Sequence, residues 1–206
     1  MAPMPRRSVF GVVTFAAALA VAAAALLDAA EAPKPHIDLL RIETRGPDVF
    51  LRFHLTGALN PELGKKIEAG LETAIRYEIR LYRRYRYWFD TYLDTRRYRV
   101  AATYDPVTRE YVVEETLDKK PLKRTTTRDF GEVQRMLVSR DGLLAFRVAD
   151  DMPRRNLYCS MQARFDAGFL FAFIPVDGKT DWKKSSVFDV PDRLSRVDSD
   201  RAPKTP

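Results

Sequence analysis

From Ile75 the chain alternates. Ile75, Tyr77, Ile79 and Leu81 take every second position, with Arg76, Glu78, Arg80 and Tyr82 between them. Successive side chains on a strand point to opposite faces, so a period of two specifies a strand with one apolar and one polar face. It excludes an amphipathic helix, whose apolar positions recur every three or four residues. The alternation runs on through Arg84, Arg86 and Trp88, and the spacing predicts one long strand. Leu157, Cys159, Met161, Ala163 and Phe165 predict another, with Cys159 as a small buried hydrophobe on its inner face. Strands of this kind are stable only when a second layer covers their apolar side.

The remaining pattern supplies that layer. Residues 36–44 and 49–56 read as strands joined by the turn residues Gly46-Pro47-Asp48. Pro61 fits the first position of a helix capped by Asn60, and Leu63, Ile67 and Leu71 recur every four residues along it. Tyr98, Val100, Ala102 and Tyr104 form a strand that turns at Asp105-Pro106 into residues 110–115, a hairpin. Asp129 and Glu132 have capping-box spacing ahead of Val133, Met136 and Leu137, which predicts a second helix. Asp141-Gly142 reads as a turn into residues 143–148. The apolar residues 167–176 read as a buried strand, and the charged, Pro- and Ser-containing residues 191–206 as a disordered tail. About eight strands and two short helices predict a mainly β (α+β) fold, antiparallel and two-layered like a sandwich.

Residues 8–27 carry no charge and follow Arg6-Arg7. As a helix that segment rises about 30 Å, enough to cross the hydrocarbon core. The basic flank places the N-terminus in the cytoplasm and everything beyond Leu27 across the membrane. Ala30-Glu31-Ala32 has the form of a signal-peptidase site, but Pro33 follows it and the apolar run exceeds the roughly 7–15 residues of a cleaved signal. The sequence therefore favours an uncleaved anchor over a cleaved signal. It divides the chain into a signal or anchor (1–32), an extracytoplasmic β-rich domain (33–190) and a tail (191–206). The localisation expected is the periplasmic side of the inner membrane. One Cys among 206 residues excludes an internal disulfide, so the core alone must hold the domain.

Chemistry is sparse. No G-x-S-x-G, P-loop, G-x-G-x-x-G or H-E-x-x-H occurs, and His36 and His54 lack neighbouring Cys or His. No metal or cofactor is expected. Asp90 with Asp94, Glu114 with Glu115, or Asp150 with Asp151 are the carboxylate pairs a hydrolase would draw on. The distinctive stretch is residues 76–99, with 8 Arg, no Lys and 8 aromatics against 3 acids. Arginine binds carboxylates and phosphates through a planar fork and stacks on rings. On a continuous strand Arg76, Arg80, Arg84, Arg86 and Trp88 would share one face and form a cationic ridge. That ridge would bind a protein partner, or an anionic lipid or glycan of the envelope. The more common outcome is that Arg stems cover apolar surface and pair with Glu or aromatics across strands without binding anything. Basic residues among aromatics also suit single-stranded nucleic acid, from which export would separate the chain.

Certain landmarks fall in a recognisable order. They are Gly70-Leu71 ahead of the alternating strand, then Arg84, Arg86, Trp88 and Asp90, then Tyr104-Asp105-x-x-Thr108-x-x-Tyr111. Further on come a capped helix near Phe130 and Asp181-Trp182 followed by Ser185-Ser186. In these the chain resembles a proteobacterial family of exported proteins, domain-of-unknown-function family 4390, sometimes labelled "proline-rich signal peptide protein", over most of residues 36–190. The resemblance implies a signal or anchor segment and an extracytoplasmic domain. It implies no activity and no site residues. Members are often encoded beside a membrane sensor kinase, which implies an envelope or membrane protein as partner. This chain is arginine-rich where the family more usually carries aromatics.

Overall fold

The computed structural model describes residues 34–59, 61–165 and 178–191. The leader, the Asn60 cap, the strand expected at 167–176 and residues 192–206 of the tail lie outside the described residues. Those described form nine strands and two helices. Every strand pairing is antiparallel.

β1 (His36–Arg45), β2 (Asp48–Thr56) and β7 (Ser139–Arg147) make a three-stranded sheet in the order β1-β2-β7. The larger sheet has six strands in the order β6-β5-β4-β3-β8-β9: β6 (Lys120–Thr127), β5 (Glu110–Leu117), β4 (Thr91–Asp105), β3 (Thr73–Arg83), β8 (Leu157–Phe165) and the short β9 (Lys183–Lys184). The helices α1 (Pro61–Glu68) and α2 (Phe130–Val138) each connect one sheet to the other, α1 from β2 to β3 and α2 from β6 to β7.

Alternation decides what is inside. Ile75, Tyr77, Ile79 and Leu81 on β3, and Leu157, Cys159, Met161, Ala163 and Phe165 on β8, are all buried, as their period of two predicts. They meet Val49, Leu51, Phe53 and Leu55 from β2 in one apolar core. Phe53 packs against Tyr77 at 4.7 Å and Tyr98 at 6.1 Å between ring centroids, so aromatic contacts link the two layers. Burial pushes the Tyr77 phenol well above its ordinary range, and its hydroxyl donates to the Leu137 carbonyl of α2 at 2.7 Å. Among the described residues, no helix is long and apolar enough to cross a membrane.

Three local expectations are corrected. α1 begins at Pro61 but stops before Leu71, which is 57% exposed. Gly70, at φ +77°, ends it: its N–H donates to the Ile67 carbonyl at 2.9 Å and Leu71 N–H to Lys66 at 3.1 Å, a Schellman closure. Asp141-Gly142 is not a turn between elements. α2 runs straight into β7, and Gly142, at φ +67°, marks a bulge where the β2–β7 register shifts. A strand not expected at all is β6, because KPLKRTTT carries no alternating apolar residues. It is an exposed edge strand joined to β5 by Asp118-Lys119. The Asp129 cap is present, accepting from Gly131 N–H at 2.8 Å; Glu132, however, accepts from the Thr127 hydroxyl rather than closing the box.

Candidate functional site

The expected ridge divides in two. Arg76 and Arg80 stand on the outward face of β3, but the strand ends at Arg83, and Arg84, Arg86 and Trp88 do not continue it. They lie in the loop 84–90 at the tip of the β3–β4 hairpin. The ladder stops because its groups find other partners. The Arg84 N–H donates to the Asn156 carbonyl at 2.7 Å, and the Tyr85 N–H to the Asp90 carboxylate at 3.2 Å, which turns the chain back on itself.

At that tip the side chains face water. Tyr87 is 85%, Trp88 80% and Phe89 87% exposed. Apolar groups of this size, three in succession, are the exception on a surface and mark contact sites. The Arg86 guanidinium lies 5.3 Å from the centre of the Tyr87 ring, and that of Arg83 4.9 Å from Tyr85. The three consecutive aromatics break the period of two; that break was the signal available in the sequence for Tyr87 and Phe89.

The base of the loop is firmly held. The Tyr158 hydroxyl of β8 donates to Asp90 at 2.8 Å. This bond holds the Asp90 carboxyl below its ordinary value, helped by the Tyr85 N–H and the charges of Lys184 and Arg84. Burial, and then the bond to Asp90, push the Tyr158 phenol up, so it stays a protonated donor. Tyr158 stacks on Tyr82 at 5.2 Å, and Tyr82 meets Tyr92 edge-on at 5.8 Å. Arg84, Asp90, Tyr158, Lys184 and Ser185 line a notch of about 320 Å³ there. A rigid base carrying an exposed aromatic tip is an arrangement for contact.

On the strand face below, Arg80 is engaged by neighbours. It donates from Nε at 2.8 Å and from a terminal nitrogen at 2.6 Å to the same oxygen of Glu78, and its guanidinium lies 4.2 Å from the Trp182 ring centre. Arg76 stands instead among cations of neighbouring strands. Arg99 is opposite it on β4 and Arg164 on β8, and Arg97 and Lys119 lie close by. The expected ridge did not include these four, because which residues meet across strands depends on register, and register is set by partners distant in sequence.

The carboxylates expected to pair are engaged separately. Asp94 bridges Arg96 at 3.0 Å, Glu114 bridges Arg124 at 3.6 Å, and Asp150 bridges Arg154. Glu114 is exposed on β5 whereas Glu115 is buried, accepting from the Tyr98 hydroxyl at 2.7 Å and from Arg140 at 3.4 Å. Among the described residues no three His, Cys, Asp or Glu side chains are grouped to hold a metal ion. Burial pushes the Cys159 thiol up, away from the thiolate form.

Comparison with curated proteins returned no match, and comparison with solved structures returned none either. A family model described as "Domain of unknown function (DUF4390)" matches residues 32–170. The match takes in both helices and β1 to β8, including the arginine-aromatic hairpin, and stops short of Asp181-Trp182 and Ser185-Ser186. Covering more than half of the chain, it establishes that this protein belongs to the DUF4390 domain family.

Proposed function

We propose that this domain is a non-enzymatic accessory protein of the cell envelope that docks a protein partner through the tip of the β3–β4 hairpin. The observation that carries the reading is the exposure of Tyr87, Trp88 and Phe89 side by side, at 80% or more each, on a loop fixed at its base by Asp90 and Tyr158. Interface hot spots are enriched in Trp, Tyr and Arg, and a preorganised loop loses little entropy when it docks. Arg84 and Arg86 flank the aromatics and favour an acidic rim on the partner. The uncharged residues 8–27 behind Arg6-Arg7 support export and retention at the periplasmic side of the inner membrane, which makes an envelope or membrane protein the partner class.

A second reading has its own support. Trp and Tyr with neighbouring Arg are also the residues that settle at an anionic lipid interface. Crosslinking in cells separates the two. A photoreactive residue at position 87 of the full chain should give a discrete protein adduct, and one at Val107 should not. Val107 is 89% exposed and sits beyond the far end of β4, about 50 Å along the strand from the tip. Trp88→Ala with Phe89→Ala should abolish the adduct while leaving the melting temperature unchanged. The same species from both positions, or none from position 87, overturns the docking reading. Flotation of the pure protein with anionic vesicles, lost in that double variant, would support the lipid reading.

A further inference from the structure

The larger sheet ends on β6, and among the described residues no strand pairs with its outer side. The amides and carbonyls on that side form a row that only water or another strand can satisfy. The long edges of the smaller sheet are placed differently. β7 is interrupted by two register shifts against β2, and β1 packs against β8 and β9. β6 has a single shift, where Leu122 is the extra residue, and beyond it residues 123–127 pair with β5 in unbroken register. Three of those five are Thr125, Thr126 and Thr127, β-branched residues suited to a strand.

Charge at this edge is one-sided. Residues 119–128 hold five cations and no acid. β5 sets three carboxylates against them, and each is taken. Glu110 bridges Arg128 at 3.0 Å, and Glu114 bridges Arg124 at 3.6 Å. Glu115 is opposite Lys123 but gives one oxygen to the Tyr98 hydroxyl and the other to Arg140. Asp118, in the turn, bridges Arg96. Among the described residues no ion pair reaches Lys119, Lys120 or Lys123, and all three are exposed. Lys120 and Lys123 are opposite Leu117 and Glu115, two positions apart on β5, so both stand on one face of the edge.

We propose that β6 receives an extended acidic segment of another protein as an added strand. Main-chain hydrogen bonds to the open edge supply an attraction common to any strand, and the unpaired lysines choose among strands. Lysine guards an edge against a strand of like charge. A second copy of this chain brings the same lysines and is repelled, whereas Glu or Asp beside Lys120 and Lys123 turns that guard into an attraction. Pro121 has no N–H and Leu122 bulges, which confines regular pairing to residues 123–127. The Thr125 hydroxyl is buried and has no hydrogen-bond partner among the described residues, so a Ser or Thr beside it on the added strand would supply one. None of these residues belongs to the loop 84–90, and the edge stands whether or not the tip docks a partner.

The probe is a blocked, dye-labelled octapeptide of alternating Glu and Thr. Titrated with the purified full chain, it should show a saturable rise in anisotropy that weakens as salt increases. Hydrogen exchange should slow in β6 when the peptide is bound and stay unchanged in β1. Lys120→Gln with Lys123→Gln should leave the fold intact and weaken binding about two- to thirtyfold, the range for two exposed charge pairs. The same peptide with Lys for Glu, or N-methylated throughout so that it has no N–H to donate, should not bind. Trp88→Ala with Phe89→Ala should bind as the wild type does. Equal binding of the N-methylated peptide would mean charge attraction without strand pairing, and overturns the proposal. So does absence of binding at low salt, equal binding by the lysine variant, or loss of binding in the tip variant. Dimerisation of the chain alone with slowed exchange in β6 would identify a second copy as the occupant, and overturns it as well.

Discussion

Arg140→Met tests how the two sheets are joined. Glu115 is 3% exposed, and its carboxylate is held by the Tyr98 hydroxyl from its own sheet at 2.7 Å and by Arg140 from the other sheet at 3.4 Å. Removing one member of a fully buried ion pair costs about 3–5 kcal/mol, because the remaining charge is left without compensation. Two features reduce that here. The Arg140 side chain is 30% exposed, so water already screens part of the interaction. Its buried Nε–H also has no partner, and the substitution removes that penalty, on the order of 1 kcal/mol. The expected loss is therefore about 1–3 kcal/mol, read as a lower urea midpoint at unchanged slope. Glu115→Gln removes the charge but keeps an acceptor for Tyr98. In that background Arg140→Met should cost about 1 kcal/mol less than in the wild type, a coupling that a double-mutant cycle isolates. A loss under about 0.5 kcal/mol for Arg140→Met in the wild type, or equal losses in both backgrounds, would refute the bridge.

Other consequences are as direct. Cys159 is fully buried and its thiol is pushed up by burial, so a disulfide reagent should react with it only at the rate of global unfolding; reaction faster than unfolding would contradict the packing of β8. Folding lowers the Asp90 pKa, so its contribution is complete above the unfolded value near 3.8 and drains away as pH falls through the lower folded one. The Tyr85 amide should thus stay protected from hydrogen exchange at pH 4.5 and lose protection only below pH 3.8; loss at pH 5 would sink the anchor, and Tyr158→Phe should remove the effect. Gly70→Ala should cost about 1–2 kcal/mol from left-handed strain alone, since its new methyl would meet only the Tyr104 carbonyl at 3.7 Å; a neutral result would contradict the helix closure.

How far the sequence foretold this fold depended on whether its cues were local. β3 and β8 were legible because one buried face imposes a period of two on four or five successive apolar residues. The start of α1 was legible because Pro61 signals a first helical turn by itself. The tip was misread for the same reason that β3 was read well. Arg84, Arg86 and Trp88 keep the alternation, yet nothing apolar is covered by the residues between them, and a hairpin must turn somewhere. β6 offered no alternation because an exposed edge strand needs none and is better protected by Lys120, Pro121 and Lys123. The arginine row was least accessible, since Arg76, Arg99 and Arg164 become neighbours only through the pairings of β3 with β4 and β8.

The same face of the sheet also carries the segment that follows β8. Residues 178–191 run antiparallel along β8, and where regular pairing lapses, side-chain hydroxyls replace backbone acceptors: Thr180 for the Ala163 N–H and Ser185 for the Cys159 N–H, both at 3.0 Å. Trp182 belongs to this segment, yet its ring lies against Arg80 on β3. Since Arg80 is opposite Ser160 on β8, and Ser160 opposite Lys184 on β9, the tryptophan must reach across β8 to get there. This accounts for two polar residues on the outward face of β8, Ser160 and Gln162, being only 4% and 5% exposed. Arg164, opposite Lys179 of the same segment, keeps a side chain 53% exposed and bridges Glu78 at 3.0 Å. One face of one sheet thereby holds its arginines in two settings: nearer the tip Arg80 lies against the chain's own Trp182, and beyond it Arg99 bridges Glu72 and Arg164 bridges Glu78. Arginine content alone does not separate the two settings; the reach of Trp182 does.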